Sequence, residues 1–134
     1  MFEYLVFDEH VGIAYHREAR IEIDGDSLRY RIDGFGPEML DSEKGSGVYT
    51  GNKEAFLNRL DGFCVPGWKD EYVDDCSDGY SWGLRYKEVG KPCRKYFGFN
   101  NGPDCYDDFT DLLFSISKEG TRAESGYTDE RYAL

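Results

Sequence analysis

Apolar and polar positions alternate most clearly between residues 19 and 33. Ala19, Ile21 and Ile23 alternate with Arg20, Glu22 and Asp24, and after Asp24-Gly25-Asp26 the residues Leu28, Tyr30 and Ile32 alternate with Arg29, Arg31 and Asp33. This period of two, broken by a turn dipeptide, predicts a β-hairpin with one apolar and one charged face. Residues 2–8 (FEYLVFD) read as a strand that the charged Asp8-Glu9-His10 stops. A second hairpin pairs Tyr80, Trp82, Leu84 and Tyr86, alternating with Ser81, Gly83, Arg85 and Lys87, with the run RKYFGF.

Two segments change period. Phe56, Leu57, Leu60 and Phe63 fall on one helical stripe, with Asn52 as its cap and Gly62 at its end. Tyr106, Phe109, Leu112, Leu113 and Ile116 form a second stripe, whose start near Asp104 to Asp108 suits the positive end of a helix. Between Gly34 and Gly51, five glycines and Pro37 without periodicity predict a long loop, packed through Phe35, Met39, Leu40 and Tyr49. Residues 66–79 read as a polar loop anchored by Trp68, Tyr72 and Val73. The sum is an α+β fold: a curved antiparallel sheet of about five strands, ordered β, ββ, α, ββ, α, with two helices packed on one face. Residues 1–117 form the single domain, and residues 118–134 a polar, mobile C-terminal tail, although its Tyr127 and Tyr132 could dock.

The 134 residues fit one such domain, and 40% hydrophobic with 16% aromatic residues suffices for its core. The net charge of −11 opposes direct binding to nucleic acid or to anionic membranes, both of which need a basic footprint. No stretch approaches the ~18 apolar residues of a membrane span. The N-terminal segment has no basic leader or cleavage pattern, which predicts a cytoplasmic protein. Charge is also unevenly placed. Residues 66–80 sum to −4, 104–111 to −4 and 1–50 to −6, whereas 81–95 sum to +4.

Cys64, Cys76, Cys93 and Cys105 follow C-x11-C-x16-C-x11-C, which contains no zinc knuckle or redox pair. A reducing compartment favours four free thiols over a Cys64–Cys76, Cys93–Cys105 pairing or a zinc site. His10 and His16, with Asp8 and Glu9, make a D-E-H-x5-H array that could supply metal ligands, against the plainer reading of exposed strand ends. A Cys64–His16 nucleophilic pair would require spatial adjacency. The acid pairs Asp70-Glu71, Asp74-Asp75 and Asp107-Asp108 read as solvated surface rather than a glycosidase dyad, and DDCSDG does not match a calcium loop.

Trp68 with Tyr72, Asp78-Gly79 with Trp82 and Leu84, Gly98-Phe99-Asn100-Asn101-Gly102-Pro103, and Phe109 with Leu112 make a distinctive series. It resembles a common small bacterial domain of unknown function, with the pattern W-x3-Y, D-G-x2-W-x-L, G-x-N-x2-P, F-x2-L, over about residues 56–116. The resemblance implies an α+β fold with helices closing a sheet and implies no reaction. Gly102 departs from it, standing where such domains carry an aromatic residue before the proline. By turn chemistry these residues read as structural.

The expected function is therefore that of a non-enzymatic, acidic, protein-binding domain without cofactor. It would dock on a basic site of a nucleic-acid-handling partner, similar in size and charge to nuclease-immunity and anti-CRISPR inhibitors. The partner-facing residues would be Asp70, Glu71, Asp74, Asp75, Asp78, Asp104, Asp107 and Asp108, with Trp68 and Tyr72 as anchors. The alternatives are an accessory or self-associating domain, such as a homodimer, and a small-ligand domain with an aromatic cleft around Trp68, Tyr80 and Trp82.

Overall fold

The computed structural model describes residues 1–12, 15–36, 44–74 and 79–117. Seven strands form one sheet in the order β4-β3-β2-β1-β6-β7-β5. They are β1 Phe2–Val11, β2 Tyr15–Asp24, β3 Ser27–Phe35, β4 Gly45–Val48, β5 Glu71–Val73, β6 Tyr80–Glu88 and β7 Arg94–Phe99. Helix α1 spans Lys53–Asp61, and α2 covers residues 106–117. All strand pairs are antiparallel except β5 with β7. No helix among the described residues is long and apolar enough to cross a membrane.

The α+β class and both predicted hairpins hold; the strand count of about five does not. The two additional strands are short edges inside segments read as loops. β4 is the glycine-rich GSGV and β5 is EYV between acids, so neither carries alternation and both are held by backbone pairing to a neighbour. β1 also runs past the expected stop at residue 8, because Glu9 and His10 stay in register with β2 and β6. Phe2 and Leu5 both face inward despite their odd spacing, since a bulge shifts the register between Phe2 and Tyr4.

The inward phases of the strands and the stripes of both helices join one core. Phe7 on the central strand is its hub, with Trp82, Tyr106, Phe109 and Phe114 all 6.0–6.3 Å away centroid to centroid. α1 is capped as expected, Asn52 Oδ1 accepting from Ala55 N at 2.9 Å. Gly62 ends it in a right-handed conformation, and the left-handed residue is Cys64, φ 53°. Of the expected loop anchors, Tyr49 packs on Phe56 at 5.4 Å, while Phe35 is exposed; Met39 and Leu40 lie outside the described residues. Trp68 is in the core, Tyr72 half-buried and Val73 exposed. The expected C-terminal tail, 118–134, also lies outside the described residues.

The glycine and asparagine positions before α2 form a clasp. Asn100 takes a left-handed φ of 59°, and its side chain accepts from Tyr80 N at 3.0 Å while its own N–H donates to Tyr80 O at 2.7 Å. A Cβ on Gly79 would collide with Asn100 Oδ1, and one on Gly98 with Trp82 Nε1 and Asn101 O. The latter two are themselves bonded, Trp82 Nε1 donating to Asn101 O at 2.8 Å. Tyr106 fills the space over Gly102, its ring 3.0 Å from where a Cβ would sit. These residues fix the strand-to-helix turn that leads into α2.

Candidate functional site

The inward phase of β1 runs Leu5, Phe7, Glu9, and that of β2 runs Ile21, Ala19, Arg17. At the end of both strands, hydrophobic residues thus give way to an acid and a base that the register sets directly opposite each other. Glu9 is 7% exposed. Arg17 Nε donates to its Oε1 at 2.7 Å, and the Tyr106 hydroxyl, from the first turn of α2, donates to Oε2. Both carboxylate oxygens are satisfied, the condition for keeping such a charge inside. The Arg17 guanidinium also lies 4.2 Å from the centroid of the Phe114 ring, a cation–π contact.

The environment marks these groups. Burial pushes the Tyr106 hydroxyl far above the ordinary tyrosine range, reinforced by its bond to Glu9 and by the Glu9 charge. Burial works against the Arg17 charge, but the bond to Glu9 and its negative charge outweigh that and hold Arg17 above its usual value. Tyr80 is raised by burial and by the charges of Asp107 and Glu9.

A cleft of about 790 Å³ opens over this network, walled by Tyr15, Tyr80 and Tyr106 and by Asp107 and Asp111 of α2. Arg17 already neutralises Glu9, so the field in the cleft is set by the two aspartates. Tyrosines and carboxylates around a recess of this size suit a cationic side chain.

Tyr72 and Tyr106 flank one indole, Trp82, at 6.0 and 5.5 Å. The two acidic segments, far apart in sequence, therefore leave the same aromatic cluster. Asp70, Glu71 and Asp74 are exposed around β5, and Asp104, Asp107 and Asp108 are exposed at the start of α2. Asp75 and Asp78 lie outside the described residues. Trp68, at 9% exposure, packs edge-on against Phe109 at 4.9 Å and donates Nε1 to Phe63 O, so its ring serves the core. Tyr72 is half-buried, with the Lys69 ammonium 5.9 Å from its ring centroid.

Sequence reasoning did not single out Arg17 or Asp111, considered Glu9 only as a metal ligand beside His10 and His16, and used Tyr106 only as a helix-face residue. The available signal was phase: Glu9 and Arg17 occupy inward positions of otherwise apolar alternations. His10 and His16 pair across β1 and β2 on the opposite face, their rings stacked at 4.3 Å. Among the described residues no cluster of three or more His, Cys, Asp or Glu could hold a metal. Cys64, Cys93 and Cys105 are free thiols, so the Cys93–Cys105 pairing is absent; Cys76 lies outside the described residues. Comparison of the chain with protein-family models, curated proteins and solved structures finds no match.

Proposed function

We propose that the chain is a non-enzymatic protein-binding domain that docks its acidic end on a basic, nucleic-acid-handling site of a partner protein. The observation that carries this reading is the cleft beside Asp107 and Asp111, adjoining the aromatic cluster from which both acidic segments emerge. Asp70, Glu71 and Asp74 on one side and Asp104, Asp107 and Asp108 on the other stand in for phosphates against lysines and arginines of the partner. One such cation enters the cleft between Tyr15 and Tyr80. Tyr72 and Tyr80, both half-buried, are the aromatic anchors, in place of the core residue Trp68. The three free thiols support a reducing, cytoplasmic setting.

The test is capture of partners by the tagged chain at low and high salt, followed by competition with the partner's nucleic acid. The expected result is one partner, released at high salt, whose nucleic-acid binding the chain displaces. Asp107→Asn with Asp111→Asn should weaken capture about tenfold, mainly through association rate. Recovery of nothing but complexes of the chain with itself overturns this reading.

A further inference from the structure

Among the described residues the helices cover one face of the sheet and leave the other open. On the open face the register aligns like charges into rows that run across the strands. Arg31 lies beside Arg20, Arg20 beside Val6, Val6 beside Arg85, and Arg85 beside Lys95. Two residues along each strand, about 7 Å away, the next row is acidic: Asp33 beside Glu18, and Glu18 beside Asp8. Like charges directly opposite one another destabilise a sheet. Here Arg20/Arg31, Arg85/Lys95, Glu18/Asp33 and Asp8/Glu18 are all such pairs. Among the described residues none of these seven charged side chains makes an ion pair. Opposite charges meet only along the strands and on the diagonals, so directly opposed pairing does not account for this arrangement.

Over β2 and β3 the pattern is its own complement. We propose that the open face is a self-association surface on which two copies of this chain pack face to face. The two-fold axis lies between the basic and acidic rows and parallel to them. Rotation about that axis sets each residue against the position equally far beyond the axis on the same strand. Arg20 then faces Glu18 of the second copy, and Arg31 faces Asp33, each contact occurring twice. One step outward, Glu22 faces His16, and Arg29 faces Phe35, a large exposed ring.

Shape agrees with charge. Gly83, between Asp8 and Phe97 in the acidic row, leaves a depression of about 240 Å³. The residue brought over it is Arg85 of the second copy, with Asp8 beside the opening; Asp8 Oδ1 is 3.1 Å from where a Gly83 Cβ would stand. The strands of the two copies run nearly antiparallel, as in aligned sheet packing, and sheet twist confines close registry to the central strands. The basic and acidic rows offset each other, so the chain's charge of −11 resides mostly elsewhere. This surface is opposite the acidic cleft, and the two proposals stand or fall separately.

The test is sedimentation equilibrium near 150 mM salt, where screening limits repulsion between the acidic chains. The full chain should show concentration-dependent dimers. Arg20→Glu alone sets acid against acid twice per dimer, and Glu18→Arg alone sets base against base; each should weaken dimerisation at least about tenfold. Two combinations should restore it: Glu18→Arg with Arg20→Glu in one chain, and an equimolar mixture of the two single variants, which should form a heterodimer. Circular dichroism checks that each variant is folded. A monomer up to about 100 μM, far above typical specific affinities, overturns the proposal, as does dimerisation indifferent to the single reversals or failure of both combinations to restore it.

Discussion

Removal of the Glu9 carboxylate should be among the most damaging single substitutions in this protein. Glu9→Ala leaves Arg17, whose side chain is 21% exposed, without its counter-charge, and leaves the Tyr106 hydroxyl without its acceptor. At 2.7 Å the pair's gross attraction is about 6 kcal/mol with an effective dielectric of about 20, most of it offset in the wild type by desolvation of both charges. The single variant loses the attraction and retains the cost of burying Arg17, so the expected loss is about 3–5 kcal/mol. That is a large part of a typical domain stability of about 5–15 kcal/mol. Replacing both charges by apolar groups, Glu9→Leu with Arg17→Met, removes the unpaired charge and should be within about 1 kcal/mol of the wild type once Tyr106→Phe is added. Urea unfolding followed by circular dichroism, with unchanged m-value, measures each variant. A loss below about 1 kcal/mol for Glu9→Ala, or a combined variant as unstable as the sum of its parts, would refute the account of a mutually dependent buried network.

Gly98→Ala should cost about 1–3 kcal/mol in urea unfolding, because its methyl falls on Trp82 Nε1 and Asn101 O, while Gly67→Ala, with open space around it, should cost less than about 1 kcal/mol. Asn52→Ala should cost about 1 kcal/mol through loss of the bond to Ala55 N, read as a lowered denaturation midpoint. Burial, with smaller contributions from Glu88 and Asp61, pushes the Tyr86 hydroxyl up to about 12. The folded value exceeds the unfolded one, so this stabilisation is complete below about pH 10 and falls as pH rises from there toward about 12. Circular dichroism should therefore show stability falling over that window, less steeply in Tyr86→Phe, and an identical pH profile in that variant would contradict the account of its burial.

The sequence was most legible where one strand or helix carried its own pattern. The 19–33 hairpin, the Trp82 strand and the Asn52-capped helix each bury a stripe that repeats at the period of their element, so local order and tertiary burial agree. β4 and β5 are short and lack such a stripe; their pairing is a property of the strands beside them. The end of β1 was misread for a related reason. Asp8-Glu9-His10 looks like a charged stop until a partner is placed opposite Glu9, and that partner, Arg17, comes from the next strand. The cleft likewise draws on β1, β2, β6 and α2. No local window contains it. The acidic segments at 70–74 and 104–108 could be located along the chain, but their association with one aromatic cluster depended on Tyr72 and Tyr106 meeting at Trp82.

β2 shows how one alternation serves two surfaces. Its inward positions, Arg17, Ala19 and Ile21, end the core with a charge that Glu9 neutralises, while its outward positions, His16, Glu18, Arg20 and Glu22, carry the self-complementary pattern. Arg17 and Arg20 are three residues apart and have opposite requirements. Arg17 must reach Glu9 through Nε while its guanidinium plane lies against Phe114, and a lysine can satisfy the charge but not both contacts. Arg20 is exposed and needs only its sign to oppose Glu18 of a second copy. Arg17→Lys should therefore lower stability by about 1–2 kcal/mol without affecting association, since the lost contacts are a charged hydrogen bond and a cation–π pair. Arg20→Lys should alter neither, whereas Arg20→Glu should weaken association at least about tenfold and leave the unfolding midpoint nearly unchanged. Separation of the two measurements along β2 follows from the period of two alone: a substitution acts on the core or on the open face according to whether its position is odd or even.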